Sequence, residues 1–311
     1  MAHGSSDPRA GSAIADLIAL ARARAELRGR PGLDARAAFL GHAAPALPQV
    51  LAALHGAARR RVVVLPLLLT AAYHSGTDIP GALREAQAAF PRLSITYGEP
   101  LGPHPALLHA LERRLAEADA GADGGAAGDY RVSRTAVVLA AAGSSRPAAN
   151  AAVAQVAADW QAARGWRAVL PAYASVASPT PGQAVAALLR DGAQRVVVAS
   201  YLLAPGLFAD RIRDASLAAG ATAVSGPLGA APEVADVLLQ RYTEACTTGA
   251  CATGACTAPV VQNGIVAQNG TGAQNGIVVQ NGIVVQNGTG AQPSGSPGLV
   301  LATRASARPA S

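Results

Sequence analysis

Short apolar runs alternate with amphipathic stretches along most of this 311-residue chain. In the first half, the unbroken or alternating apolar runs predict strands at residues 34–40, 62–69 and 93–97. The stretches between them predict helices at residues 8–28, 46–57 and 105–116, with a further helix that starts near Asp78 and Pro80. Strands that alternate with helices in this way are typical of βα units and a parallel sheet.

The same order of elements occurs twice. The block "RRVVVLPLLLTAAYHSGTDIP" from Arg60 aligns with "QRVVVASYLLAPGLFADRI" from Gln194, which is a shift of 195 − 61 = 134 residues. The opening "AHGSSDPRA" aligns with "AAGSSRPAA" at a shift of 142 − 3 = 139. Blocks that recur in order indicate a duplication. We therefore predict a first half at residues 1–119 and a second half at 134–242, joined by a linker rich in glycine and alanine.

Residues 243–311 have a different character. Five hexapeptides from Gln262 repeat "QNG" with short apolar endings, which predicts a low-complexity, disordered tail, with a small β-solenoid as the alternative. Cys246, Cys251 and Cys256 are evenly spaced before the repeats. This spacing fits expansion of a simple sequence, and a metal or iron–sulfur site is the alternative. An odd number of cysteines gives no reason to expect disulfides.

Composition narrows the class of protein. Hydrophobic residues make up 50% of the chain and aromatic residues only 4%, and all 25 basic residues are arginine. The net charge of +6 permits an anionic ligand, but basic clusters with interleaved aromatics are absent, so we expect no nucleic-acid partner. The longest apolar run, residues 62–73, contains Pro66 and is too short to cross a bilayer. With no signal-peptide pattern at the start, we expect a cytoplasmic protein without a membrane partner.

Candidate chemistry lies on histidines. His42, His74 and His104 each follow a predicted strand, and His3 aligns with Ala142, which follows an apolar run of strand type in the second half. All four are therefore expected at the carboxyl edge of the sheet. If the strand order is 2-1-3-4, as in flavodoxin-like sheets, ligands bind where the order reverses, between strands 1 and 3. The loops after those two strands carry His3 and His74.

Two facing imidazoles suit exchange of a divalent metal, and an imidazole also accepts protons near neutral pH. The second half has Ala142 in place of His3 and Phe208 in place of His74, so only the first half keeps the pair. The structural alternative, in which a histidine caps a helix or bonds a carbonyl, is our interpretation of His42 and His104. The two remaining histidines, His55 and His109, are expected on helix surfaces.

The segments "AHGSSDPRA", "FLGHAAPALPQVL" and "VVVLPLLLTAAYHSGTDIP" resemble those of the CbiX/SirB-type sirohydrochlorin chelatases. The resemblance implies two tandem flavodoxin-like, chelatase-like halves, each a small parallel sheet flanked by helices. It implies a cytoplasmic enzyme that inserts Fe²⁺, toward sirohaem, or Co²⁺, toward cobalamin, into sirohydrochlorin without ATP. His3 and His74 are then the metal ligands and catalytic residues. The implied substrate-binding residues are Leu69, Thr70, Ala71, Ala72, Tyr73 and His74. The metal is a substrate, no tightly bound cofactor is expected, and the chain is expected to be a monomer whose halves form an intramolecular pseudo-dimer.

The chain departs from that family at two places. Gly41 stands where family members commonly have an acidic residue, and His42 is a candidate replacement. The strand that should precede His3 is missing, and we expect the native start to lie further upstream. Two other functions stay open: a non-catalytic carrier of tetrapyrrole or metal on the same fold, and a nucleotide-binding protein that uses "GSSDP" as an anion loop.

Overall fold

The computed structural model describes residues 7–39, 44–57, 59–70, 78–123 and 132–251, and short stretches at 274–275, 282–288 and 299–302. In the first half, helices alternate with strands as the pattern predicts. The elements are α1 (Pro8–Leu27), β1 (Asp34–Ala37), α2 (Leu47–Gly56), β2 (Arg61–Leu65), α3 (Asp78–Ala89), β3 (Ser94–Tyr97) and α4 (Pro105–Asp123).

The second half repeats this alternation and adds a strand at its start. Its elements are β4 (Thr135–Ala141), α5 (Pro147–Arg164), β5 (Ala168–Tyr173), α6 (Pro181–Arg190), β6 (Arg195–Ser200), α7 (Leu207–Ala218), β7 (Ala223–Val224) and α8 (Pro232–Cys251). The four strands pair in parallel in the order β5-β4-β6-β7. This is the expected 2-1-3-4 order, and the predicted fold class of two α/β halves with small sheets flanked by helices is confirmed.

The central position of β4 follows from its sequence. The strand TAVVLAA is buried at every residue, as an aliphatic run between two parallel neighbours requires. Val138 lies in a core cluster with Val198 of β6 and with Val185 and Leu188 of α6. The equivalent cluster of the first half joins Val62 and Val64 of β2 to one face of α2.

The sheet of the first half is built differently. β2 pairs in parallel with β3. Strand β9 (Gly282–Gly288) pairs antiparallel with both β1 and β2, and β8 (Gln274–Asn275) and β10 (Leu299–Ala302) join the same sheet. Residues 1–6, which precede α1, lie outside the described residues. The rest of the predicted tail beyond Cys251 also lies outside them, so its disorder stays a prediction there.

Three element ends differ by three residues or more from the sequence-based expectation. The strand predicted at 34–40 ends at Ala37. The strand predicted at 62–69 ends at Leu65, because Pro66 has no N–H to donate to a neighbouring strand. The helix predicted at 105–116 continues to Asp123, since the alanine-rich stretch after residue 116 contains strong helix formers.

The contacts that residues make in space divide the chain into two compact units. Unit 1 consists of Met1–Ala13, Leu69–Ser75 and Gly102–Val234, so its described part holds α4 together with the sheet of the second half. Unit 2 consists of Ile14–Leu68, Gly76–Leu101 and Ala235–Ser311, so it holds most of α8 together with β1, β2 and β3. The boundaries 1–119, 134–242 and 243–311 follow sequence similarity and stay a prediction. No helix among the described residues is long and apolar enough to cross a membrane.

Candidate functional site

The chain leaves β2 through a buried apolar stretch. Leu67 and Leu68 are 5% and 6% exposed, and Leu69 and Thr70 are the last described residues before the segment that contains His74. Because β2 is a parallel strand, this exit lies at the carboxyl edge of its sheet, where ligands of open α/β sheets bind. Of the six substrate-binding residues implied by the resemblance, the structure describes Leu69 and Thr70. The other four, Ala71, Ala72, Tyr73 and His74, lie outside the described residues.

The backbone carbonyl of Leu69 is held in place by a hydrogen bond. The hydroxyl of Tyr201, which follows β6, donates a hydrogen bond of 2.8 Å to the Leu69 carbonyl oxygen. Gly102 lies against the same carbonyl, and a Cβ atom at that position would clash with the oxygen. Burial raises the pKa of Tyr201 well above its usual range, so the phenol stays protonated as a donor.

The second predicted segment runs into α1. Asp7 caps this helix: its carboxylate accepts a 2.9 Å hydrogen bond from the Arg9 backbone N–H. Pro8 occupies the first helical position, where a missing N–H costs nothing. His3 lies before these residues, outside the described part of the chain.

Arg9 joins two carboxylates. Its guanidinium lies 2.6 Å from Asp7 and 2.6 Å from Asp210, in the first turn of α7. The hydrogen bonds from Arg9 lower the pKa of both carboxyls, because they favour the ionised form. Since two carboxylates already balance its charge, Arg9 is a poor candidate for binding the acidic groups of a ligand.

The described histidines have structural roles. The Nδ1 atom of His104 accepts a 3.1 Å hydrogen bond from the N–H of Ala106, so His104 caps α4 as predicted. His55 is exposed on α2, with its ring centroid 5.6 Å from that of Phe90, and His109 is exposed on α4. The predictions for these three residues are confirmed. His42 and Gly41 lie outside the described residues.

A backbone hydrogen bond in one loop of the second half has a counterpart in the first half. The N–H of Tyr173 donates to the Pro179 carbonyl at 2.9 Å, and the N–H of Phe39 donates to the Pro45 carbonyl at 2.8 Å. Both pairs are related by the 134-residue shift (173 − 39 and 179 − 45). The backbone at this edge is thus alike in both halves, while Ala142 and Phe208 replace the histidines in the second.

Within the described residues, no group of three or more histidine, cysteine or acidic side chains is arranged to hold a metal ion. Cys246 is buried in α8, Cys251 ends that helix, and Cys256 lies outside the described residues. His3 and His74 lie outside the described residues, so their roles stay predictions. The structure describes the residues that flank them in the sequence.

Two contacts of the site, those of Tyr201 and of Arg9 with Asp210, were not predicted from the sequence. Tyr201 aligns with Leu67 at the shift of 134, so a phenol stands where the first half has an aliphatic side chain. The tyrosine at this position is a signal in the sequence. The partner of its hydroxyl, however, is a backbone carbonyl, which has no sequence signature.

Comparison with known proteins decides the family. The family model described as CbiX matches residues 1–118 and again residues 136–245. The chain belongs to the CbiX family. The two CbiX matches correspond closely to the two halves defined by the internal repeat, which confirms the resemblance of the sequence motifs.

Curated relatives of this CbiX chain are named for chelatase activities. A sirohydrochlorin cobaltochelatase of Priestia megaterium is 30% identical over 153 residues, which cover 49% of this chain and 48% of that protein. A sirohydrochlorin ferrochelatase of the same organism is 26% identical over 176 residues, which cover 57% of this chain and 63% of that protein. The chain thus spans about half to two thirds of the length of these relatives.

Solved structures show the same fold. SirB from Bacillus subtilis subspecies spizizenii in complex with cobalt is 21% identical, with a TM-score of 0.60 over 79% of this chain and 93% of that one. SirB from Bacillus subtilis with Fe³⁺ is 24% identical, with a TM-score of 0.58 over 68% of this chain and 82% of that one. At these identities the similarity establishes the CbiX fold.

Proposed function

We propose that this protein is a sirohydrochlorin chelatase that inserts a divalent metal, Fe²⁺ or Co²⁺, into sirohydrochlorin without ATP. The observation that carries the proposal is the CbiX match over both halves, in a chain whose first half alone keeps both histidines. The names of the curated relatives support the substrate.

The proposed reaction needs a base and an exchangeable metal ligand on one face of the macrocycle. As the ion enters, the macrocycle loses two pyrrole protons, and its nitrogens replace the protein ligands of the ion. His3 and His74 supply imidazoles for both tasks, because a neutral imidazole binds first-row divalent metals and accepts protons near neutral pH. The segment from Leu69 to His74 is proposed to contact the macrocycle.

The described residues contribute fixed backbone on the flanks of that site. The Leu69 carbonyl is held by Tyr201, and the first turn of α1 is held by Asp7 and Arg9. Segments anchored in this way keep their neighbours in a productive geometry, which lowers the entropic cost of reaching the transition state.

The proposal includes both metals, Fe²⁺ and Co²⁺, as alternative substrates of the same reaction. One curated relative is named for cobalt and another for ferrous iron. Imidazole binds both metals. In the general order of affinities for divalent metals, Fe²⁺ and Co²⁺ are neighbours, and Cu²⁺ binds more tightly than either. The ratio of the insertion rates measures the preference directly.

Anaerobic metal insertion followed by absorbance tests the proposal. The full chain is incubated with sirohydrochlorin and Fe²⁺ or Co²⁺, beside His74→Ala, His3→Ala and the surface control His109→Ala. We expect insertion above the uncatalysed rate in the full chain and in His109→Ala. In the other two variants we expect a loss of at least about a hundred-fold, at the low end of the ~10²–10⁴-fold contribution of acid–base catalysis.

The same experiment separates the alternatives. Saturable binding of sirohydrochlorin without turnover would replace the enzyme by a carrier of the macrocycle. Binding of a nucleotide in place of the macrocycle would favour the anion-loop interpretation of "GSSDP". Full activity in both histidine variants would move the chemistry away from His3 and His74.

A further inference from the structure

One short segment of the second half touches the flanks of both predicted histidine segments. Residues 201–210 follow β6 and form the first turn of α7. At the shift of 134, they align with residues 67–76 of the first half, so Phe208 corresponds to His74. The segment has lost its histidine, yet it carries two polar contacts to the first half, and both contacts lie within unit 1.

The first contact is made by Tyr201. Its side chain is 3% exposed, and its hydroxyl donates a 2.8 Å hydrogen bond to the Leu69 carbonyl. Leu69 lies five residues before His74 in the sequence (74 − 69). Because Gly102 has no side chain, the Leu69 carbonyl can lie against its backbone. Gly102 and the Tyr201 hydroxyl together fix the chain where it leaves β2.

The second contact is made by Asp210. One guanidinium nitrogen of Arg9 lies 2.6 Å from the Asp210 carboxylate and 2.6 Å from Asp7. Arg9 lies six residues after His3 in the sequence (9 − 3). The side chains of Arg9 and Asp210 are 51% and 30% exposed, so solvent weakens this contact and it is the lesser of the two.

We propose that residues 201–210 are a positioning segment for metal binding and transfer, which acts by holding Leu69 and Arg9, the described residues of the first half that flank His74 and His3 in the sequence. Tyr201 is its main positioning residue, acting through the Leu69 backbone, and Asp210 is a second, weaker one, acting through Arg9. This inference rests on the proposed chelatase function. It gives the second half a role in the reaction although it lacks both histidines.

The test changes single functional groups in the full chain. Tyr201→Phe deletes only the donor to Leu69. Tyr173→Phe is the matched control, because Tyr173 is also a buried tyrosine (5% exposed) whose hydroxyl donates to a backbone carbonyl, that of Asn150, at 2.9 Å. Asp210→Asn tests the second contact, and Asp214→Asn, on the same helix but paired with Arg213, is its control.

The readouts are the Kd of Co²⁺ from its absorption spectrum, with the metal alone as probe, and kcat and KM for sirohydrochlorin. For Tyr201→Phe we expect about a ten-fold weaker Co²⁺ affinity and about a ten-fold lower kcat, at the low end of the ~10–100-fold effects of residues that orient metal ligands. The KM stays near that of the wild type. Tyr173→Phe keeps the wild-type Kd and kcat, and Asp210→Asn shows a smaller loss than Tyr201→Phe.

Equal Co²⁺ affinities for Tyr201→Phe, Tyr173→Phe and the wild type would overturn the inference while leaving the chelatase function intact. If the wild type binds Co²⁺ but inserts no metal, a loss of affinity confined to Tyr201→Phe supports the inference and contradicts the function. A wild-type chain that binds no Co²⁺ overturns both.

Discussion

At the scale of single residues, hydrogen bonding separates structural histidines from candidate ligands. Nδ1 of His104 accepts a hydrogen bond from the Ala106 N–H, so its lone pair is engaged by the first turn of α4. The Nδ1 lone pair is therefore not available to a metal. His104 acts as the N-cap of α4, the role that serine, threonine, asparagine or aspartate fills at most helices.

Substitution of this cap should change stability and not chemistry. We expect His104→Ala to lower the free energy of unfolding by about 1 kcal/mol, because a helix N–H loses its acceptor. His104→Asn should retain most of that stability, because asparagine is a favoured N-cap. Urea unfolding measures both. If His104→Asn kept its stability but lost metal insertion, the assignment of His104 as a cap would be incomplete.

The buried phenol of Tyr201 predicts a pH dependence. Its pKa is raised in the folded protein, so above about pH 10, the ordinary pKa of tyrosine, the unfolded chain releases a proton that the folded protein keeps. The stabilisation is complete below that pH and is lost as the pH rises further. We expect the decline of the wild type to be steeper than that of Tyr201→Phe by about 1.4 kcal/mol per pH unit. Denaturant unfolding at increasing pH checks this, and parallel slopes for the two proteins would contradict it.

At the scale of elements, α4 is fastened to α5 by one carboxylate. The indole N–H of Trp160 on α5 donates a 2.9 Å hydrogen bond to Glu112 on α4, and Trp160 is completely buried. Arg164 donates its Nε–H to the same oxygen at 2.6 Å. A buried indole needs this acceptor, since water cannot replace it.

Removal of the carboxylate should therefore be costly. We expect Glu112→Ala to destabilise the protein by about 1–3 kcal/mol, because a buried donor is left without a partner. Glu112→Gln should cost less, since its amide oxygen still accepts from Trp160. Urea unfolding followed by tryptophan fluorescence gives both values. Glu117→Ala is the control, because Glu117 is half exposed and pairs with Arg114 on the same helix; a loss there as large as in Glu112→Ala would contradict the argument.

At the scale of the whole molecule, the last helix of each half belongs to the unit of the other half. In unit 1, α4 packs against β6 and β7, and Arg114 donates to the Leu228 carbonyl at 2.9 Å. In unit 2, Asp236 of α8 accepts from Arg24 at 2.5 Å, and Arg241 donates to the Pro100 carbonyl at 2.8 Å. The linker between the sequence halves therefore does not separate two independent bodies.

This exchange predicts the behaviour of a cut chain. When a specific protease site is placed within residues 124–131 and cleaved, the fragments should elute together in native buffer and apart in denaturant. The reason is that α4 packs against β6 and β7 of the second half. Its residues Leu107, Leu111 and Leu115 are each at most 1% exposed, and each contributes about 1.5–3 kcal/mol by burial. Size-exclusion chromatography checks it, and separate elution without denaturant would contradict it.

The sequence predicts most helices and strands, because apolar periodicity is a local signal and the internal repeat extends it to the second half. The 2-1-3-4 strand order comes from the analogy with flavodoxin-like sheets, since periodicity does not specify which strands are neighbours. The sequence does not predict the exchange of α4 and α8, since an apolar helix face does not specify which of two similar sheets it covers. It also misses Tyr201, whose partner is a backbone carbonyl 132 residues away. The assignment of His3 and His74 rests on motif resemblance and stays a prediction.

The exchanged helices also bear on how such a chain can evolve. A single ancestral half would bury the apolar face of its last helix only against a second copy, so the unfused form would be an obligate dimer. If the two halves arose by fusion of two copies, neither copy could lose its scaffold, because deletion of either copy exposes the core of the other. Selection on the hydrophobic pattern of the second half therefore persists, although that half has Ala142 and Phe208 where the first half has His3 and His74.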